Sequence, residues 1–318
     1  MPLSVLATVS GVVDSFIVGS VNDRDLISSD ADRALQDFLE GEFPKAEIRL
    51  WPRVPGSENR HAVVVLKDPP AVLFVKLYSN KAKYAAEYSA LSAIGKRYSW
   101  TILPVAGSDS GALAWQSFPF IDLQPIDELA FSFYDWGVRL AELHSCEPPG
   151  SLARSQRAID VVEKRLELLA LLREPVAVKS AQDASAIWLR ARGTVGDDAQ
   201  HYQSIPCLIS NDFGFRNTFL RPDGQLILID FERATIGDPH WELGKAWDRE
   251  LRSVSDREDF LGGYHARLSY RQDWPHRATL WVTRFVACVA AIPYALRVGD
   301  QEFLDHSIAV LRELRWEL

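Results

Sequence analysis

Asp212, Asn217 and Asp230 are the residues whose types and spacing can do chemistry. Asn217 follows Asp212 by five residues and Asp230 follows it by eighteen. A Mg²⁺ ion takes hard oxygen ligands, one or two from the protein and the rest from phosphates and water. Asn217 and Asp230 can supply such ligands, and Asp212 can accept the proton of an attacking hydroxyl. That set suits phosphoryl transfer. Taken singly, each acid is an ordinary polar end of a surface hairpin; the joint spacing carries the reading.

The element that must bring them together is a hairpin. Thr218-Phe219-Leu220 and Gln225-Leu226-Ile227-Leu228-Ile229 are apolar runs separated by Arg221-Pro222-Asp223-Gly224. Pro presets one φ of such a turn and Gly supplies a positive one. The fold-back returns Asp230, at the end of the second strand, to Asn217, at the start of the first. Gly237-Asp238-Pro239 follows, with Asp238 as an N-cap and Pro239 at the first turn of a helix.

This stretch resembles the catalytic loop of protein kinases. It is more similar to the aminoglycoside phosphotransferase and choline kinase-like family, which reads His-Gly-Asp, four residues, Asn, a hairpin, Asp-(Phe/Trp)-Glu and Gly-Asp-Pro. Here the residues are Ser210-Asn211-Asp212, Asn217, Asp230-Phe231-Glu232 and Gly237-Asp238-Pro239. Ser210 stands where the family has His, and Asn211 where Gly is common. The resemblance implies an α+β, bilobal protein-kinase-like fold. Residues 30–118 would form a small antiparallel-sheet, nucleotide-binding lobe, and residues 119–318 a mainly helical lobe that carries catalysis and the acceptor. Residues 1–29 lie outside the resemblance and have no clear role.

Upstream, the turn Pro55-Gly56-Ser57-Glu58-Asn59-Arg60 lies between two strands expected within 46–67. The resemblance puts Ser57 and Asn59 over the nucleotide phosphates, although one glycine is also what a plain hairpin turn needs. Lys76 sits in the apolar run Phe74-Val75-Lys76-Leu77-Tyr78. A lone Lys there can snorkel from a sheet edge. In the resemblance it binds the α- and β-phosphates and is held by Glu87, eleven residues on in a helix expected over 82–94. Strands are expected at 102–105 and 112–118, and Gln116, Ser117 and Phe118 are nominated as the hinge that meets the purine through backbone groups. Helices are expected over 131–144, 159–173, 183–192, 239–249, 260–268, 274–297 and 301–317. His144 reads as a helix C-terminal residue favoured by the macrodipole.

The expected activity is transfer of the γ-phosphoryl of ATP or GTP, with Mg²⁺, to a hydroxyl of a small molecule. A kinase-like binding protein without activity is the alternative. The acids Glu232, Asp238, Glu242, Asp248 and Glu250 motivate a cationic acceptor, an antibiotic or amino alcohol; a sugar is also open. The chain has 318 residues, enough for two lobes, with 47% hydrophobic and 25% charged residues. A net charge of −8 implies no general affinity for nucleic acid or anionic membrane. Three widely spaced cysteines, Cys146, Cys207 and Cys288, point to a reducing cytoplasm without a disulfide framework. The apolar segments at 1–20 and 285–296 are too interrupted or too short to span a bilayer, and the second reads as a buried helix.

Overall fold

A computed structural model describes residues 30–51, 59–111, 113–126, 131–268 and 274–317. The chain divides into two compact units, one ending at Lys76 and one beginning at Leu77. Strands of the N-terminal part pair antiparallel, the C-terminal part is mostly helical, and the α+β class expected from the sequence is the one observed.

In the first unit, helix α1 (Asp30–Glu42) precedes strands β1 (Glu47–Leu50) and β2 (Arg60–Lys67), and β3 (Pro70–Tyr78) carries the chain out of it. β1 pairs antiparallel with β2, with Glu47 opposite Val65 and Leu50 opposite Ala62. Leu35 and Leu39, four residues apart on α1, are buried together with Ala62, Val63 and Val64 of β2 and Leu73 and Val75 of β3. The run of consecutive buried residues in β2 is a strand covered on both faces rather than on one.

The second unit opens with α2 (Lys81–Gly95), started by Asn80, whose side chain accepts from the Lys83 N–H at 2.9 Å. Then come β4 (Ala106–Ser108), β5 (Ala114–Pro119) and β6 (Gln124–Pro125). β4 pairs with β5, Gly107 opposite Gln116. The strand expected at 102–105 is displaced: Pro104 lacks a donor, Val105 makes the first bond to β5 through the Ser117 carbonyl at 2.8 Å, and the strand itself spans Ala106–Ser108.

The helices are α3 (Phe133–His144), α4 (Ala158–Ala170), α5 (Pro175–Ala191) and α6 (Asp197–His201). β7 (Cys207–Ile209) leads into the catalytic stretch, followed by β8 (Thr218–Leu220), β9 (Leu226–Leu228) and β10 (Thr235–Gly237). Four helices close the chain: α7 (His240–Arg249), α8 (Val254–Arg267), α9 (Arg277–Val298) and α10 (Gln301–Leu314). α5 starts eight residues before the expected 183. Its buried face is Ala177, Ala181, Ala184 and Ala191 with Ile187 and Trp188, a stripe of small residues that apolar periodicity under-reads. α9 is long and apolar enough to cross a membrane, but 67% of its apolar window is buried inside the protein. There Phe285, Val289 and Ile292 share a core with Leu169, Ala184 and Leu311.

Two helices approach closely enough to fix the site's floor. A Cβ on Gly137 of α3 would stand 1.9 Å from the Phe260 carbonyl oxygen of α8, and one on Gly263 of α8 would stand 1.9 Å from that of Tyr134. Only glycine permits that backbone contact.

Candidate active site

The hairpin forms as expected. Thr218 is opposite Leu228 and Leu220 opposite Leu226, and Asp223 Oδ1 accepts from the Gln225 N–H at 3.1 Å in the turn. The Ile229 N–H donates to the Asn217 carbonyl at 3.0 Å, so Asp230 leaves β9 directly beside Asn217. Asn217 Nδ2 donates to the Asp212 carbonyl at 2.8 Å. With its amide nitrogen so engaged, the side chain keeps its oxygen as an acceptor that can serve as a cation ligand. Asp230 has φ +64, the left-handed region a β-substituted residue seldom adopts.

Helix α3 supports this hairpin from below. Trp136 Nε1 donates to Thr218 Oγ1 at 3.1 Å, Thr218 Oγ1 donates to the Gly214 carbonyl at 2.9 Å, and Arg139 Nε donates to the Leu226 carbonyl at 2.8 Å. Phe213 stacks on Trp136 with ring centroids 4.4 Å apart. His144 ends α3, buried, with Nδ1 2.9 Å from the Tyr264 hydroxyl.

The two departures from the family pattern have local explanations. Asn211 has φ +60, a conformation that Gly adopts freely and Asn tolerates best among other residues. Its Nδ2 is fixed by the Arg233 carbonyl at 2.9 Å and Thr235 Oγ1 at 2.7 Å. Ser210 Oγ donates to Glu242 Oε2 at 3.1 Å and accepts from the Asp212 N–H at 3.2 Å. Glu242, at the start of α7, also accepts from the backbone N–H groups of Ser210, Asn211 and Phe213. The loop is therefore braced by the buried Glu242 carboxylate, partly through Ser210, the residue at the position of the family's histidine. Burial pushes the Glu242 carboxyl up to about 7, against those donors.

Asp212 is 9% exposed, and the Arg216 guanidinium sits on both its carboxylate oxygens. Burial raises the Asp212 carboxyl, but Arg216, aided by Lys245 and Arg233, outweighs it and holds the group below the usual carboxylate range.

A second carboxylate group lies just past the hairpin's second strand, on the side of Asp230. Oxygens of Glu87, Asp230 and Glu232 fall within 4.8 Å of one another. Glu87 accepts from the Phe231 N–H at 3.2 Å, and Glu232 pairs with Lys83 Nζ at 3.0 Å. These three carboxylates are hard-oxygen donors of the kind Mg²⁺ takes, and Asp230 among them emerges beside Asn217.

Tyr78 ties this group to β5. Its hydroxyl is 2.7 Å from Glu87 Oε2 and 2.8 Å from the Gln116 amide. A phenol has one hydrogen, which the carboxylate claims, so the Gln116 contact must run from amide nitrogen to phenol oxygen. That orientation also satisfies a Gln116 nitrogen that is otherwise buried without a partner. Burial first, and the Glu87 charge second, push the Tyr78 phenol far up, so it stays a donor.

Of the other nominated residues, Gln116 and Ser117 are buried in β5 with Phe118, and the Ser117 hydroxyl points to the Ala106 carbonyl at 3.4 Å. Asn59 and Lys76 lie in the first unit, both buried. Ser57 lies outside the described residues. Sequence reasoning missed Tyr78, Lys83 and Arg216 as site residues and saw Glu232 and Glu242 as acids that could attract a cationic acceptor, not as groups holding the site together. Glu242 had one signal, its place three residues after Pro239 at the head of the helix that follows Gly-Asp-Pro.

Known proteins bear on this geometry directly. The model of the phosphotransferase enzyme family matches residues 51–280. Among solved structures, the chain is similar to a spectinomycin phosphotransferase in complex with ADP and spectinomycin, at 13% identity and a TM-score of 0.59, covering 88% of this chain and 93% of that one. It is similar to an aminoglycoside phosphotransferase at 10% identity and a TM-score of 0.63, covering 89% and 98%. A choline/ethanolamine kinase family protein from Mesorhizobium loti gives 13% identity and a TM-score of 0.61, covering 88% and 94%. At these identities the likeness is one of fold. No curated protein sequence matches the chain.

Proposed function

The chain belongs to the phosphotransferase enzyme family, and from that premise we propose that it moves the γ-phosphoryl of a nucleoside triphosphate to a hydroxyl of a small molecule. ATP or GTP is the donor in this reading; structures similar in fold hold ADP or AMP-PNP. Asp212 orients the acceptor hydroxyl and takes its proton as the oxygen attacks phosphorus. Asn217 and Asp230 hold Mg²⁺, with Glu87 and Glu232 behind Asp230. When bound, the ion neutralises charge on the β- and γ-phosphates. Lys76 binds the α- and β-phosphates and is oriented by Glu87; Ser57 and Asn59 cover them. Residues 116–118 face the purine through backbone groups, within a nucleotide-binding lobe spanning 30–118. Most of the rate enhancement comes from positioning and charge stabilisation, since a loose transition state needs little covalent help.

The observation that carries this reading is the junction of the hairpin. Asn217 is tied to the main chain of the base, and Asp230 emerges beside it in a left-handed conformation. Replacing Asp212 with Ala is expected to leave Mg-nucleotide affinity within a few-fold and to lower turnover by at least ~10²-fold, the scale of a general base. A fully active Asp212→Ala enzyme would refute the assignment.

One observation favours a second reading, a nucleotide-binding protein without turnover: Arg216 occupies both oxygens of the proposed base. Mg²⁺-dependent release of nucleoside diphosphate separates the two.

A further inference from the structure

We propose, on the basis of the phosphotransferase reading above, that the acceptor carries an anionic group, a carboxylate or a phosphate, besides its hydroxyl, and that Arg216, Arg233, Lys245 and Arg249 receive it. The surroundings of Asp212 are basic. Glu242, Lys245 and Arg249 are spaced by three and four residues on α7 and so share one helical face. Glu242 fixes that face against the loop through its bonds to residues 210, 211 and 213. Lys245 and Arg249 must therefore rise alongside the loop. Arg249 does so: its Nη2 lies 2.8 Å from where a Cβ on Gly214 would stand. Lys245 and Arg233 are close enough to act on the Asp212 charge, and Arg216, Arg233 and Arg249 all act on the Lys245 ammonium.

Four cations here face three anions, Asp212, Asp230 and Glu250, beside the Glu242 carboxyl that the loop holds. Glu250 is spent on Arg249, whose Nε donates to it at 2.6 Å, and Asp212 is spent on Arg216. Lys245 and Arg233 are exposed and make no ion pair among the described residues. Like charges gathered this closely repel unless a counter-charge joins them. The acids that favoured a cationic acceptor are all engaged: Glu232 with Lys83, Asp238 with His240, Glu242 with the loop, Asp248 with Arg284 at 2.7 and 2.8 Å, and Glu250 with Arg249.

The arrangement also gives Arg216 a second task. Its side chain is 54% exposed, so it can turn outward. An acceptor anion competes with Asp212 for the guanidinium and leaves the carboxylate free to take the hydroxyl proton. The base is thus available when the acceptor is present and covered when it is not.

The test uses the full-length protein saturated with Mg-ADP, so that phosphate-binding groups for the nucleotide are filled. Binding of choline, D-glycerate and glycerol 3-phosphate is measured by calorimetry. These probes pair a hydroxyl with a cation, a carboxylate and a phosphate. At least one anion should bind and choline should not; which anion binds tells the two chemistries apart. The Arg233→Gln/Lys245→Gln variant, altered at exposed positions, should bind that anion at least about tenfold more weakly, as loss of charged hydrogen bonds implies, with Mg-ADP affinity unchanged. Binding of choline more tightly than both anions, binding of neither anion, or an unchanged anion affinity in the variant would each overturn the proposal. Failure of the phosphotransferase reading shows separately, as no Mg²⁺-dependent ADP binding by the wild type; the anion titration is then run without nucleotide.

Discussion

Replacing Tyr78 with Phe removes one hydroxyl and leaves the ring's packing in place. The structure makes that atom the link between Glu87 and Gln116, at 2.7 and 2.8 Å. Glu87 is 3% exposed and Gln116 fully buried. The lost bond to a charged acceptor is worth about 1.5–3 kcal/mol, and an amide left without its acceptor costs a further ~1–3 kcal/mol. Together the loss is on the order of 2.5–6 kcal/mol, a large fraction of ordinary stability. Urea denaturation followed by tryptophan fluorescence should show a lowered midpoint. The relay also predicts coupling. Adding Gln116→Leu to Tyr78→Phe removes the stranded amide, so the double variant should be more stable than the sum of the single losses allows. A midpoint shift worth less than about 1 kcal/mol, or strictly additive losses, would refute the relay and the amide orientation inferred from it.

Further expectations concern the supports of the loop. The Glu242 carboxyl is raised from 4.5 to about 7 in the folded protein. The native state then binds more protons than the unfolded chain between those values, so this group's contribution is full below pH 4.5 and is lost as pH rises to about 7. The change is on the order of 3 kcal/mol. Comparing stability at pH 5 and pH 8 for wild type and Glu242→Gln checks it: the variant should lack that component, and equal slopes would contradict the assignment. Gly137→Ala should destabilise by at least ~1–3 kcal/mol, the scale of overpacking, because its Cβ meets the Phe260 carbonyl at 1.9 Å. Thermal unfolding reads this directly, and an unchanged midpoint would show that α3 and α8 can part without loss.

Much of the site could be read from the chain because its signals are local. The Pro-Asp-Gly turn fixes a hairpin, and the hairpin fixes which ends meet, so Asn217 and Asp230 follow from spacing alone. The two unusual residues, Ser210 and Asn211, were legible as departures but not as solutions. Only the fold shows Glu242 reaching back thirty-two residues to Ser210 and Asn211 adopting positive φ. Tyr78 was hidden for a similar reason: a tyrosine at the end of an apolar strand looks like core, and its partners are nine and thirty-eight residues away. Gln116 was nominated for its backbone, while its side chain turned out to be engaged internally. The acidic residues could not be weighed from the sequence, which counts charges without their partners. Asp248 and Glu250 face arginines from α9 and α7, and the basic residues around Asp212 come from three separate elements. α5 was under-read because alanines bury a face without the large apolar periodicity that announces one.

The central claim is that Asp230, with Asn217, holds the divalent ion that binds a nucleoside triphosphate. Titrating non-hydrolysable ATP into wild type and Asp230→Asn, each with Mg²⁺ and with EDTA, tests it most directly. Wild type should bind at least about tenfold more tightly with Mg²⁺ than without, as loss of one charge-assisted ligand implies, and Asp230→Asn should lose that dependence while keeping its fold. Equal Mg²⁺ dependence in the two proteins would contradict the account.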